Sequence, residues 1–129
     1  MRLAMTAAGA LALLGAIAPA AAHHSFATQY DADAPVTLKG VVTRVEWMNP
    51  HARFYIDVEN EGGEVTNWNL ELASPNVLSR NGWTRHALKE GDVVTVEGSR
   101  ARSGAHMANA RTVLLADGRQ VFARSPTGD

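Results

Sequence analysis

Residues 52–82 read ARFYIDVENEGGEVTNWNLELASPNVLSRNG: a strand, a turn, a second strand and then a short helix. From Ala52 to Glu59 the apolar residues alternate. Ala52, Phe54, Ile56 and Val58 fall on one face, and Arg53, Tyr55, Asp57 and Glu59 on the other. Asn60-Glu61-Gly62-Gly63 has hairpin-turn chemistry. Glu64 to Leu72 resumes the alternation, with Thr66, Trp68, Leu70 and Leu72 toward a core and Asn67, Asn69 and Glu71 opposite. Ser74-Pro75 is then a helix start, serine as cap and proline in the first turn. Asn81-Gly82 is a stop.

Working outward, Leu38 to Trp47 (LKGVVTRVEW) predicts a preceding strand. Val41, Thr43, Val45 and Trp47 share one face and Leu38, Gly40 and Val42 the other, so both faces are apolar, as in a central or strongly curved strand. Gly40 is the residue at which a barrel strand bends. Beyond the helix, Val93 to Ser99, Ala110 to Leu115 and Gln120 to Ala123 predict three more strands, the last two joined at Asp117-Gly118. The expected fold is all-β with one short helix: a five-stranded OB-fold-like barrel plus a C-terminal hairpin extension. A small open sheet with a helix is the structural alternative. An immunoglobulin-like sandwich needs about seven strands and places no helix there.

The first 22 residues have the zones of a secretory signal: Arg2, an apolar run from Leu3 to Ala18, Pro19, and the small-x-small pattern of Ala20 and Ala22. The run is shorter than the roughly 20 residues that span a bilayer. Cleavage between Ala22 and His23 fits best, with cleavage after Ala20 as the alternative. Abundant Ala, and Arg in excess of Lys, fit a bacterium of high genomic GC content, so the expected destination is the periplasm or, second, the medium. The domain reading is 1–22 signal, 23–34 N-terminal arm, 35–124 barrel and 125–129 flexible tail.

Removing 22 of 129 residues leaves 107, enough for one modest core. That mature chain carries 11 Lys and Arg against 13 Asp and Glu, a net charge of −2, which speaks against general nucleic-acid binding and gives no attraction to anionic membranes. With no cysteine, disulfides, thiolate catalysis and zinc–cysteine sites are excluded.

The segments AHHSFATQYD, TLKGVVTRVEWMNPHARFYIDV, NWNLELASPNVLSRNGWT, LKEGDVVTVEGSRARSG and ANARTVLLADGRQVF together resemble a family of small exported bacterial proteins of unknown function. The resemblance covers nearly all of the mature chain. It implies export and a small β domain of OB type, and it carries no activity or catalytic residue. Members are similar at His23-His24-Ser25-Phe26 and at Asn49-Pro50-His51, whereas His86 and His106 stand where the family has other polar residues.

Cleavage at Ala22 makes His23 the terminus. Its amine and imidazole then chelate one metal ion, and a third nitrogen from His24 or His51 completes a set suited to copper. The alternative cut gives Ala-Ala-His, which binds Cu(II) or Ni(II) through amine, amides and imidazole. The plain reading of the same residues is a polar terminus without a ligand, and of His51 a turn residue bonded to a backbone carbonyl. The metal candidates are thus His23, His24 and His51.

OB-folds bind on the face flanked by the loops between strands one and two and strands four and five. That gives Met48, Asn49, His51, Tyr55, Arg100, Arg102 and Arg111 as ligand-binding candidates. Tyr55 is the aromatic that periodicity turns outward, and the three arginines are an anion site or simply solvated. No nucleophile elbow, phosphate loop or zinc-protease motif is present, so the chain reads as a non-catalytic binding module for a small ligand or a periplasmic protein. A periplasmic copper-binding protein is the second reading and a metal-dependent hydrolase the third. Exposed strand edges allow a homodimer.

Overall fold

A computed structural model describes residues 26–122. The signal at 1–22, His23, His24 and the tail at 125–129 lie outside the described residues. Among the described residues the elements are β1 Tyr30–Glu46, β2 Arg53–Glu59, β3 Val65–Glu71, α1 Pro75–Arg80, β4 Val93–Ala101, β5 Met107–Leu115 and β6 Gln120–Phe122. Residues 26–29 form a helical turn ahead of β1.

β1 pairs antiparallel with both β2 and β4, β2 with β3, and β4 with β5. The ring closes where β3 meets β5 in parallel, through Asn69–Met107, Leu70–Ala108 and Glu71–Asn109. A five-stranded barrel closed in this way, with a helix between β3 and β4, is an OB-fold. β6 adds a short hairpin partner to β5.

The core is filled from every wall: Leu38 and Val42 of β1, Phe54 and Ile56 of β2, Trp68 and Leu70 of β3, Val94 and Val96 of β4, and Val113 of β5. Leu78 of α1 and Trp83 just after it join the same cluster. Ser74 caps α1 by accepting from the Val77 amide. At the other end Gly82 takes φ +88°, and the amides of Gly82 and Trp83 return to the carbonyls of Ser79 and Leu78, a Schellman ending that delivers Trp83 to the core.

The two apolar faces of β1 have a different origin from the one expected. The register shifts between Val42 and Arg44, so Thr43 is a bulge residue. Before it Leu38, Gly40 and Val42 point inward while Val41 and Thr43 are exposed; after it Val45 and Trp47 pack against the core. One face is buried throughout, and the bulge changes which residues belong to it. Gly40 is required by close approach, because a Cβ there would collide with the Asp57 carbonyl.

The expected boundary at Pro35 is not where pairing begins. β1 already pairs with β4 at Tyr30–Ala101, and its register shifts between Tyr30 and Pro35. β2 pairs with β1 only from Val41 on, so Pro35 lies where one side of β1 has no strand neighbour and a missing N–H is tolerated. β5 likewise begins at Met107 rather than Ala110, and the added residues are the ones that close the barrel.

Candidate functional site

The hairpin register places Arg53 of β2 directly opposite Glu71 of β3 on the outer barrel wall. Glu71 is only 4% exposed. A carboxylate removed from water costs several kcal/mol unless it is paired and hydrogen-bonded. Here the start of β1 and the entry to β2 supply the partners. Arg53 Nη2 donates to Oε2. The Tyr30 hydroxyl donates to the same oxygen at 2.9 Å. His51 Nδ1 stands 3.3 Å from Oε1.

The arrangement extends one shell further. Arg53 Nη1 donates to Asn69 Oδ1 at 3.1 Å and lies 3.9 Å from Met107 Sδ, so the guanidinium contacts side chains of both β3 and β5. Burial first, and then the Glu71 charge, push the Tyr30 hydroxyl well above the ordinary tyrosine range, so it acts as a neutral donor. The buried polar side chains of the described residues are Glu71, Asn109 and Ser99. Register makes them neighbours on β3, β5 and β4. Asn109 Nδ2 is the buried side-chain polar atom there without a hydrogen-bond partner.

The turn from β1 to β2 borders this corner. Its Asn49–Pro50 peptide is cis. Met48 is 53% exposed and Asn49 is exposed. The His51 side chain is 37% exposed, with Nδ1 against Glu71.

Arg102, read from the sequence as part of an anion site or as simply solvated, holds the chain segment that leads into β1. Its Nε donates to the Ala27 carbonyl at 2.7 Å, its amide to the Gln29 carbonyl at 2.9 Å, and its Nη1 lies 3.4 Å from Asp31. With Tyr30 bound to Glu71, residues 27–31 are fixed at two points. The Phe26 ring lies 5.6 Å from the Tyr30 ring and tilted to it, so the chain enters the described structure beside the Glu71 corner.

The other candidates are in separate settings. Tyr55 is covered by the Arg44 guanidinium at 4.2 Å and donates to Glu46 at 3.3 Å, which leaves it no open ring face on that side. Arg100 lies 5.4 Å over Trp68, which also has His106 at 5.2 Å. Arg111 is the exposed extra residue of a bulge opposite Glu97 and Gly98. The three arginines therefore do not converge on one anion. His86 lines a cleft of about 560 Å³ with Thr84, Lys89 and Arg119, where β4 begins and β5 ends, the opposite end of that hairpin from the Glu71 corner. Among the described residues, no group of three His, Asp or Glu side chains is placed to hold a metal ion. No helix among them is long and apolar enough to cross a membrane.

Tyr30, Arg53, Asn69, Glu71 and Met107 were not singled out by sequence. One signal for them existed. The Asn60–Gly63 turn sets the register of its hairpin, and counting back along it brings Arg53 opposite Glu71, two opposite charges on a face otherwise assigned to solvent.

A family model described as "Family of unknown function (DUF6152)" matches residues 11–110. No curated protein matches the chain. Similar solved structures include the mitochondrial single-stranded DNA binding protein Rim1 of S. cerevisiae. One of its crystal forms is 13% identical over 64% of this chain and 93% of that one, with a TM-score of 0.49. A selenomethionine-labelled crystal is 16% identical over 67% and 97%, again with a TM-score of 0.49.

Proposed function

This chain belongs to the DUF6152 family, and from that premise we propose that it is an exported, periplasmic, non-catalytic binding module that takes its ligand at the corner around Glu71. The observation that carries the reading is the convergence of Tyr30 from the start of β1 and of His51 and Arg53 from the entry to β2 on one buried carboxylate beside the β1–β2 turn. Both Glu71 oxygens are engaged, so the carboxylate organises its neighbours instead of offering a free base. What remains for a ligand is the exposed part of His51, exposed Met48 and Asn49, and the partly exposed Arg53.

The ligand in this reading is a small molecule or a protein, not a nucleic acid. On the β1–β2–β3 wall Arg44 pairs with Glu46 at 2.6 Å and Arg53 pairs with Glu71, while Asp57 and Glu59 add negative charge. Single-strand binders need a positive groove and open aromatic faces. Thermal-shift measurements on the exported chain, against carboxylates, sugars, amines, first-row metal ions and a 15-nucleotide dT strand, test this. At least one small class is expected to raise Tm, with the effect lost in His51→Ala and kept in His86→Ala. The dT strand is expected to bind more weakly than about 10⁻⁴ M at physiological salt. Tight dT binding, or identical responses from the two variants, contradicts the reading.

One observation favours a second reading, periplasmic copper binding by His23, His24 and His51. A metal-ligating histidine usually gives its other ring N–H to a carboxylate or carbonyl, and His51 stands in that relation to Glu71. N-terminal sequencing of the exported chain, followed by Cu(II) titration of wild type and His23→Ala, decides it. Copper binding no tighter than to free histidine, or undiminished in the variant, ends the copper reading.

A further inference from the structure

Directly paired strand residues share a face, so the register draws one outward row across the barrel wall: Ser99 of β4, Asn109 of β5, Glu71 of β3 and Arg53 of β2. An outer row is normally wet, yet Glu71 is 4%, Asn109 6% and Ser99 9% exposed. The cover is the chain's own segment 26–31. Tyr30 pairs with Ala101 of β4 and its hydroxyl donates to Glu71 on β3, so the two side chains together bridge β5, the strand between. The cover is one layer thick: Tyr30 is buried, whereas Ala27, Thr28 and Gln29 face solvent. Arg102, itself half exposed, holds it at Ala27, Gln29 and Asp31. Closed, it leaves Asn109 Nδ2 without an acceptor, a cost that opening to water or to a ligand removes. What opening wets is mostly polar, which keeps it cheap.

We infer that residues 26–31 are a displaceable lid and that Tyr30 is a tethered occupant of the binding corner, holding the place of a phenolic ligand. The inference deepens the binding-module reading and rests on it. The ligand class follows from what Tyr30 supplies. Glu71 Oε2 takes a neutral hydroxyl there, beside the Arg53 guanidinium that already balances its charge. An anion is repelled by Glu71, and a cation competes with Arg53. The hydroxyl enters from a slot beside buried Ala101, which suits a flat apolar ring. Asn109 Nδ2 stands in the same row as a donor still to be used. Lid and ligand compete for one place, so the apparent affinity follows the fraction of open lid.

The probe is p-cresol, the tyrosine side chain as a free molecule, titrated into the exported chain and followed by amide shifts and amide exchange. Shifts are expected at residues 27–31, 99–101 and 107–109, and saturation is expected to speed exchange at 27–31 because the lid is displaced. Arg102→Ala loosens the lid without touching the slot, and is expected to bind p-cresol about 10-fold tighter than wild type. Toluene, which lacks the hydroxyl, is expected to bind that variant about 10-fold more weakly than p-cresol does. If Arg102→Ala does not fold, Asp31→Ala, which removes the ion pair to the same arginine, takes its place. Equal p-cresol affinity in wild type and the folded variant, slowed exchange at 27–31, or toluene binding as tight as p-cresol overturns the inference. Fragment shifts at residues 48–53 with no response to p-cresol remove the lid and leave the binding corner standing. No shifts at either place from any fragment remove both.

Discussion

At Glu71, one carboxylate is shared by Tyr30, His51 and Arg53, and its removal is felt by all three. Glu71→Ala leaves a partly buried guanidinium without its counter-charge. A loss of about 3 kcal/mol is expected in urea unfolding, the low end of what breaking a buried pair costs. Tyr30→Phe removes one hydrogen bond to a charged group and is expected to cost about 1.5–3 kcal/mol. The same tyrosine gives the fold a pH limit. Its hydroxyl is held above the ordinary value near 10, so above that pH the unfolded chain releases a proton that the folded chain keeps. Stability therefore falls as pH rises past about 10, and Tyr30→Phe is expected to flatten that fall. Equal pH slopes for the two proteins contradict the assignment.

Among the elements, β1 carries the most information and was the least legible. Its inward residues Leu38, Gly40 and Val42 are out of phase by one with Val45 and with Trp47 just past its end. A period-two reading meets such a strand as two apolar faces, because nothing in Thr43 itself announces a bulge. Deleting Thr43 is expected to turn Val45 and Trp47 away from the core and cost about 3 kcal/mol or more. Thr43→Ala, at the same exposed position, is expected to stay within about 1 kcal/mol of wild type. β2, β3 and α1 were legible because their patterns are local: strict alternation, then Ser74-Pro75 and Gly82. The start of β5 was not. Ala108, Asn109 and Ala110 are all buried, so no alternation marks them, and their partner in the parallel pair is distant in sequence. The segment before β1 was expected to be an arm, since its anchor, Arg102, comes from a loop about 75 residues away. Arg102→Ala is expected to speed amide exchange at residues 27–31 without changing exchange in β2 and β3. Uniform acceleration across the barrel would place Arg102 in the global stability instead.

On the scale of the whole molecule, an OB barrel of modest size spends its outer wall unevenly. The β1–β2–β3 face has its arginines neutralised by its own carboxylates, whereas the end where β2, β3 and β5 meet the β1–β2 turn gathers buried polar groups under a fixed N-terminal segment. The candidate site was half legible in advance. His51 was found from the turn, but Glu71, Arg53 and Tyr30 needed the register of three strands to come together. The most direct measurement of the central claim is an amide chemical-shift map of the exported chain against a fragment library. The expected result is a cluster of shifts at residues 48–53, 69–71 and 106–107. Hits scattered over the barrel, or gathered in the cleft lined by His86 and Arg119, would contradict a binding site at the Glu71 corner.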